Sequence, residues 1–297
     1  MTNTPHSTES DALSARRAVW DAARTHAFET YLAALLAPKD VRDDLVVLAA
    51  FLGEAARIPF LVSEPTLGDI RIQWWRDWLA LVEPQSAPTG NVLADAFGDV
   101  IARHDLAKDR IGLLLDARAD EGYAGDFADD AVYRQHLTAT TGTGFSLAAR
   151  IAGLEETPDV LALMAAATEA VGTVAIIKRL PQFVARGRWP LPIGIEVKAQ
   201  LRDNSPSMED FLHDAAVERQ ASVTAAVARA RRALGQAKAL NSQVSGGVRS
   251  VVIELALVEP YLRVLQSSSN DPSRIAPEIS PLVRVWRLWW AKRRGRF

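Results

Sequence analysis

Apolar residues recur at helical spacing along nearly the whole chain, and the alternation typical of strands is almost absent. Alanine and leucine dominate this pattern, and both are strong helix formers. Prolines and short polar segments divide the pattern into helices, which we predict at residues 15–36, 41–58, 71–81, 92–104, 109–121, 131–152, 158–180, 209–239, 247–265 and 281–294. The sequence therefore predicts an all-α fold, with the helices packed around a central cavity.

The chain of 297 residues shows no internal repeat and no segment of foreign composition, so we expect one domain over residues 15–297. Residues 1–14 begin with a polar stretch, and we expect them to form a disordered tail. No apolar run approaches the roughly 20 residues of a membrane-spanning helix, and the start lacks the features of a secretory signal. We therefore expect a cytoplasmic protein whose contact with a membrane, if any, is peripheral.

Composition excludes several classes of function. The formal net charge of −2 is not that of an electrostatic nucleic-acid binder. The absence of cysteine excludes disulfides, thiolate zinc sites, iron–sulfur clusters and a cysteine nucleophile. The five histidines are scattered and form no HExxH motif. The residue pattern thus predicts no metal site and no cofactor.

Six of the eight tryptophans lie in two clusters at helical spacing. We expect the first cluster, Trp74, Trp75 and Trp78, to lie in the core. The second cluster is interleaved with basic residues near the end of the chain. It predicts either a surface for a partner or an anionic membrane, or a packed helix with a solvated basic face. The residues concerned are Arg284, Trp286, Arg287, Trp289, Trp290, Lys292 and Arg294.

Three segments, in the same order and spacing, resemble the squalene/phytoene synthase superfamily. The first is RDDLVVLAAFLGEAARIPFLVSEPTLGDIRIQWWRDWL, residues 42–79. The second is LLDARADEGYAGDFADDAVYRQHLTATTG, residues 114–142, and the third is VAIIKRLPQFVARGRWPLP, residues 174–192. The resemblance implies an isoprenoid-synthase-type helical bundle, with the first and third segments facing each other across the cavity.

The departures from the family's pattern concern its catalytic carboxylates. Active members carry aspartates at i and i+4 on two facing helices, and Mg²⁺ held between them binds the substrate diphosphate. In this chain the corresponding positions are Ala56, Arg57 and Phe60 on the first helix, and Arg179, Gln182 and Phe183 on the second. Glu54 is the one acid near the first set. A single carboxylate among arginines is a poor cage for several magnesium ions, because the arginines repel cations.

The segment from Ser63 to Trp75 and the aromatic, arginine-rich end most resemble a non-catalytic branch of this family, whose members are assembly factors for respiratory complex I. The resemblance implies that the partner is a complex I subunit or assembly intermediate. Two alternatives remain open: a prenyl-diphosphate condensing enzyme with an atypical, Mg²⁺-dependent site, and a non-catalytic binder of an isoprenoid or lipid. In the latter, Phe60 and Phe183 would make the old diphosphate site less polar.

If an anion still binds, the candidate residues are basic and lie near the two former metal motifs. The alternative interpretation of the same set is surface charge with ordinary ion pairs. The residues are Arg57, Lys178, Arg179, Arg186 and Arg188.

Overall fold

The computed structural model describes residues 5–61, 64–83, 87–123, 127, 129–192, 216–266 and 271–297. Helices and turns make up these ranges, and no strand occurs in them, which confirms the all-α prediction. The helices of the first half are α1 (Pro5–His26), α2 (Phe28–Leu35), α3 (Lys39–Leu61), α4 (Pro65–Leu81), α5 (Val92–His104), α6 (Lys108–Tyr123), α7 (Asp130–Leu137) and α8 (Thr143–Ile151). The later helices are α9 (Pro158–Lys178), α10 (Leu180–Val184), α11 (Ala216–Leu240), α12 (Gly246–Val251), α13 (Leu255–Leu265) and α14 (Pro281–Arg294).

The beginning of the chain differs from the prediction. Helix α1 starts at Pro5, within the segment of residues 1–14 that we expected to be a disordered tail, and residues 1–4 lie outside the described ranges. The single helix predicted at 15–36 is two helices, which meet at Ala27 in a non-helical conformation. Gly53 of α3 lies against this corner. A Cβ added to Gly53 would stand 3.0 Å from the carbonyl carbon of His26 and 3.1 Å from the Cβ of Ala27. The absence of a side chain at Gly53 thus allows α3 to pack closely on α2.

Helices α7 and α8 form one continuous helical unit joined by a π-helical turn, Thr138–Gly142. Such turns are rare and frequently occur at functional sites. Here the turn directs Thr140 and Thr141 towards the interior cavity described below. Gly144, just after the turn, packs on α3, since a Cβ added there would lie 3.2 Å from Leu52.

Helix α9 is the central helix of the bundle. Contrary to the expectation from the sequence, its length and composition would allow it to cross a membrane, and it is the one such helix in the described part of the chain. However, 67% of its most apolar window is buried inside the bundle, as expected for a core helix. It packs against α11 and α13, and burial on all sides explains why it is apolar all round.

Three predicted helices in the second half have different bounds. Helix α9 ends at Lys178 rather than at residue 180, because Arg179 leaves the helical conformation before Leu180 begins the short α10. The helix predicted at 209–239 is described from Ala216 onward, and its first seven residues lie outside the described ranges. The helix predicted at 247–265 is divided by a turn into α12 and α13.

The first tryptophan cluster lies mostly in the core, between α3, α4 and α5. Trp75 and Trp78 are buried, with their ring centroids 5.3 Å apart, and Trp78 stacks on Phe97. Trp74 is 40% exposed. The core interpretation is therefore correct for two of these three tryptophans.

Candidate functional site

The two sets of former metal-motif positions meet in the structure. Phe60 of α3 and Phe183 of α10 make an edge-to-face contact, with ring centroids 5.0 Å apart. Arg179 also reaches α3, where one guanidinium nitrogen donates to the carbonyl oxygen of Ala56 at 3.4 Å. Gln182, by contrast, is exposed. The region where active family members hold metal and diphosphate is occupied here by an aromatic pair and an arginine.

Glu121 of α6 is the acid that balances Arg179. The two guanidinium nitrogens of Arg179 donate to the two carboxylate oxygens of Glu121 at 2.8 and 3.0 Å. Arg118 donates to the same carboxylate at 2.6 Å, and His136 lies 3.0 Å from it. The Glu121 side chain is 1% exposed. We call this group of four side chains the Glu121 cluster.

The Glu121 cluster buries two guanidinium groups around one ionised carboxylate. Burial alone would favour the neutral acid, but the guanidinium groups of Arg118 and Arg179 hold the pKa of Glu121 well below its usual range. Burial also lowers the pKa of Arg118 to about 10, against the opposing effect of Glu121. The cluster therefore holds two guanidinium charges against one carboxylate charge, and this surplus of positive charge repels a metal cation.

The residues near the cluster do not fit a magnesium site. Mg²⁺ needs carboxylate oxygens free to coordinate it in octahedral geometry. Glu54, the remaining acid on this part of α3, is held by Arg57 at 2.6 Å and by Arg71 at 3.1 Å. Glu121 is held as described above, and the described residues contain no group of three or more histidine or acidic side chains placed to bind a metal.

The five residues proposed as an anion site are divided between separate partners. Arg57 pairs with Glu54, Arg179 with Glu121, and Lys178 with Glu29 of α2. Arg186 lies over the ring of Phe60 at 5.4 Å, and Arg188 is half-buried after the turn at residue 187. This arrangement favours the alternative interpretation of ordinary ion pairs.

A cavity of about 290 Å³ lies beside the Glu121 cluster and extends away from it along α3. Val41, Leu45, Leu48 and Leu52, one face of α3, form one wall. Small side chains of α2 and α8 form others, and the last wall consists of Gly247, Ser250 and Val251 of α12 with Glu254 of the following turn. Arg118 lines the cavity on the side of the cluster, and the exposed lining residues His26, Asp40 and Gly247 mark where the cavity meets solvent. The cavity of the predicted fold is therefore present and largely apolar.

A second buried glutamate, Glu254, faces this cavity. Burial and the nearby negative charge of Glu29 raise the pKa of Glu254 to about 7. Lys178 lies near enough to oppose this effect, but it bonds to Glu29, which also accepts a hydrogen bond from Tyr261. Neither Glu121, Glu254 nor Glu29 was singled out by sequence reasoning, since their partners are set by tertiary packing.

Helix α14 is exposed on its tryptophan side. Trp286 is 57% exposed and Trp289 is 42% exposed, and both rings pack against Trp290. Leu288 and Ala291 face the protein. Arg293 and Arg294 lie over the rings of Trp289 and Trp290. The helix is thus attached along one edge and presents aromatic and basic side chains to the outside.

Arg284 is the member of the predicted surface that the structure places elsewhere. Its side chain is 16% exposed, its Nε lies 3.6 Å from Glu29, and its guanidinium lies over Phe28. It was expected on the outer face with Arg287, but the phase of the helix turns it inward. The outward-facing basic residues near the end of α14 are Arg287, Lys292, Arg293 and Arg294.

Comparison with known proteins gives consistent matches. The family model described as squalene/phytoene synthase matches residues 23–291. The protein named NADH dehydrogenase (ubiquinone) complex I, assembly factor 6, from Bos taurus, is 26% identical over 257 residues, which is 84% of this chain and 73% of that protein. The Rattus norvegicus protein of the same name matches with the same identity and coverage.

Two solved structures are similar in fold. The squalene synthase HpnC from Alicyclobacillus acidocaldarius superposes with a TM-score of 0.64 at 15% identity, over 95% of this chain and 94% of that one. A dehydrosqualene synthase in complex with ligand superposes with a TM-score of 0.71 at 12% identity, over 96% and 98% of the two chains.

Proposed function

The chain belongs to the squalene/phytoene synthase family, and we propose that it is a non-catalytic member that acts in the assembly of respiratory complex I. The observation that carries the proposal is the Glu121 cluster with the Phe60–Phe183 pair, which stands where the family's metal and diphosphate site would be. The relatives are named as assembly factors of complex I, and we base the proposed biological process on those names.

The cluster opposes condensation chemistry in two ways. An active member holds the departing diphosphate through metal ions, but Glu121 and Glu54 are each engaged by two guanidinium groups and cannot bind such ions. The edge-to-face pair of Phe60 and Phe183 adds apolar surface at the same place. The competing hypothesis, a prenyl-diphosphate transferase with an atypical metal site, would require both ion pairs to open.

Helix α14 supports a role at a membrane or on a membrane-bound partner. Exposed Trp286 and Trp289 suit an interface between water and an apolar phase, and arginine with tryptophan is typical of the centres of protein interfaces. Each basic residue near an anionic surface contributes about 1 kcal/mol at low salt. We propose that the protein works at the inner face of the cytoplasmic membrane, with α14 facing the bilayer or an incomplete complex I intermediate.

The test of this assignment is a deletion strain. Assembled complex I, measured by native gel and by NADH:quinone activity, should fall, whereas isoprenoid products should not change. Wild-type protein should restore the complex, and a variant with Trp286→Ala and Trp289→Ala, which changes exposed side chains, should restore it less well. Normal complex I together with altered hopanoid or carotenoid content would support the enzyme hypothesis instead.

Lipid binding is a second candidate function, favoured by the cavity. Its apolar wall along α3 and its opening near Gly247 would accept a chain molecule even though no diphosphate site accompanies it among the described residues. This function is compatible with assembly work, since a lipid-filled cavity and an exposed α14 involve different surfaces.

A further inference from the structure

The open end of the cavity adjoins a basic pocket at the end of α14. Ser250 of α12 lines both spaces, and Lys292 of α14 donates a hydrogen bond to its Oγ at 2.6 Å. The basic pocket, about 350 Å³, is formed by Arg249 of α12 together with the last turn of α14. An apolar cavity and a cationic pocket therefore meet at one side chain.

The basic pocket carries charge that the described residues do not balance. Arg249, Lys292, Arg293 and Arg294 line it, no acidic side chain does, and none of the four forms an ion pair with a carboxylate in the described ranges. One guanidinium nitrogen of Arg249 donates to the carbonyl oxygen of Asn241, and its buried Nε has no hydrogen-bond partner there. In the Glu121 cluster, by contrast, both guanidinium groups contact one buried carboxylate.

Basic residues in the last turn of a helix also stabilise its dipole. That effect accounts for the positive charge on α14 and for Arg249 in the last turn of α12, but it does not account for the apolar cavity that adjoins the pocket at Ser250. The apolar cavity reaches the basic pocket at Gly247 and Ser250. This combination indicates a ligand that has both an anionic group and an acyl chain.

We propose that this protein binds one single-chain anionic lipid, with its acyl chain in the cavity and its phosphate in the basic pocket. The chain would enter at Gly247 and run along Ser250 and Val251 towards Glu254, the successive cavity-facing residues of α12 and the following turn. The phosphate would receive charge-assisted hydrogen bonds from Arg249 and Lys292.

The volume of the cavity limits how many acyl chains it can hold. At about 290 Å³ it is at the small end of the ~300–1,000 Å³ usual for small-molecule sites. It therefore holds one acyl chain rather than two. This inference deepens the second candidate function and does not depend on the role in complex I assembly.

The experiment titrates the full-length protein with lauroyl lysophosphatidylglycerol below its micelle concentration, followed by isothermal titration calorimetry. Lysophosphatidylcholine with the same chain tests the charge, and glycerol 3-phosphate tests the headgroup alone. We expect the anionic lipid to bind at least tenfold more tightly than the zwitterionic one, and glycerol 3-phosphate to show no binding at concentrations that saturate with lipid.

Variants separate the two halves of the site. Lys292→Gln, Arg293→Gln and Arg294→Gln together should weaken the anionic lipid at least tenfold and the zwitterionic lipid, whose phosphate is offset by its choline cation, by a smaller factor. A matched control changes Arg231, Arg263 and Arg274, exposed arginines that line neither space, to glutamine and should change nothing. Ala148→Leu should weaken both lipids by filling the cavity, and Val251→Phe tests the same point at the mouth if the first variant does not fold.

Equal affinity for the two lipids, or an unchanged affinity in the triple glutamine variant, would overturn the headgroup site while leaving lipid binding intact. If glycerol 3-phosphate bound as tightly as the lipid, the acyl chain would contribute nothing to binding. The site would then be an anion site, and this result would also overturn the proposal. No binding of either lipid would remove both this inference and the second candidate function, without bearing on complex I assembly.

Discussion

Two buried glutamates lie near the cavity, Glu121 beside it and Glu254 in its lining, and they differ in their partners. Glu121 is surrounded by Arg118, Arg179 and His136, so it is held ionised. Glu254 faces Glu29, whose cation Lys178 is already engaged, so its proton is held more tightly. Glu121 is thus engaged by two guanidinium groups, whereas the basic pocket beside Ser250 is lined by no acidic side chain among the described residues. We infer that Glu121 stabilises the fold, whereas the basic pocket is the part of this region that can bind a ligand.

The largest effect is expected at Glu121. Glu121→Gln leaves Arg118 and Arg179 buried without a counter-charge, and breaking such a pair costs about 3–5 kcal/mol. The free energy of unfolding, measured in urea by circular dichroism, should fall by that amount. Glu54→Gln is the matched control, since its partners Arg57 and Arg71 are partly exposed and its loss should cost about 1 kcal/mol. Equal effects of the two variants would show that the cluster does not stabilise the fold in this way.

The next effect concerns Glu254 and is seen as a dependence on pH. Its pKa is raised to about 7 from an ordinary value of 4.5, so the folded state retains a proton that the unfolded state releases. The contribution of Glu254 to stability is therefore full below pH 4.5 and declines as pH rises through 7, by about 3 kcal/mol in total. The charged groups nearby are Glu29 and Lys178, with Arg284 of α14 beyond Glu29.

Glu254→Gln should remove this dependence. The difference in unfolding free energy between wild type and variant should change across roughly pH 5–8, with the wild type losing stability relative to the variant as the pH rises. Glu121 does not interfere, because its lowered pKa places its own contribution at acid pH. A difference that stays constant over this range would mean that Glu254 is ionised throughout.

The smallest effect on stability is expected at the mouth of the cavity. Lys292→Gln, Arg293→Gln and Arg294→Gln change exposed side chains, so the free energy of unfolding should fall by about 1 kcal/mol or less, chiefly through the helix dipole. The melting temperature should therefore shift by only a few degrees, as measured by calorimetry. A loss as large as that of Glu121→Gln would show that these charges are structural.

The architecture could be predicted because helical periodicity extends over most of the chain. The motif alignment also placed Phe60 and Phe183 on two facing helices, and the structure brings their rings into contact. The partner of Arg179 could not be predicted, because Glu121 reaches it only through the break in helix geometry at Arg179 itself. Spacing along one helix carries no information about such a turn.

At the end of the chain, too, the sequence could not predict which side of a helix faces the protein. The spacing of Arg284, Arg287 and Trp286 places them on α14, but only the packing of Leu288 and Ala291 fixes which side faces the protein. Arg284 therefore turned inward towards Glu29, against expectation. The meeting of the cavity with the basic pocket at Ser250 depends on three helices distant in sequence, and no local pattern signals it.

The most direct test of the central claim, that this fold works without the family's chemistry, is diphosphate release from farnesyl diphosphate by the purified protein with and without Mg²⁺. We predict a rate equal to that of the reaction without protein at every magnesium concentration, because Glu54 and Glu121 are both held by arginines and cannot form a metal cage. Magnesium-dependent release clearly above that background would contradict the claim, and would mean that the Glu121 cluster opens to form an active site.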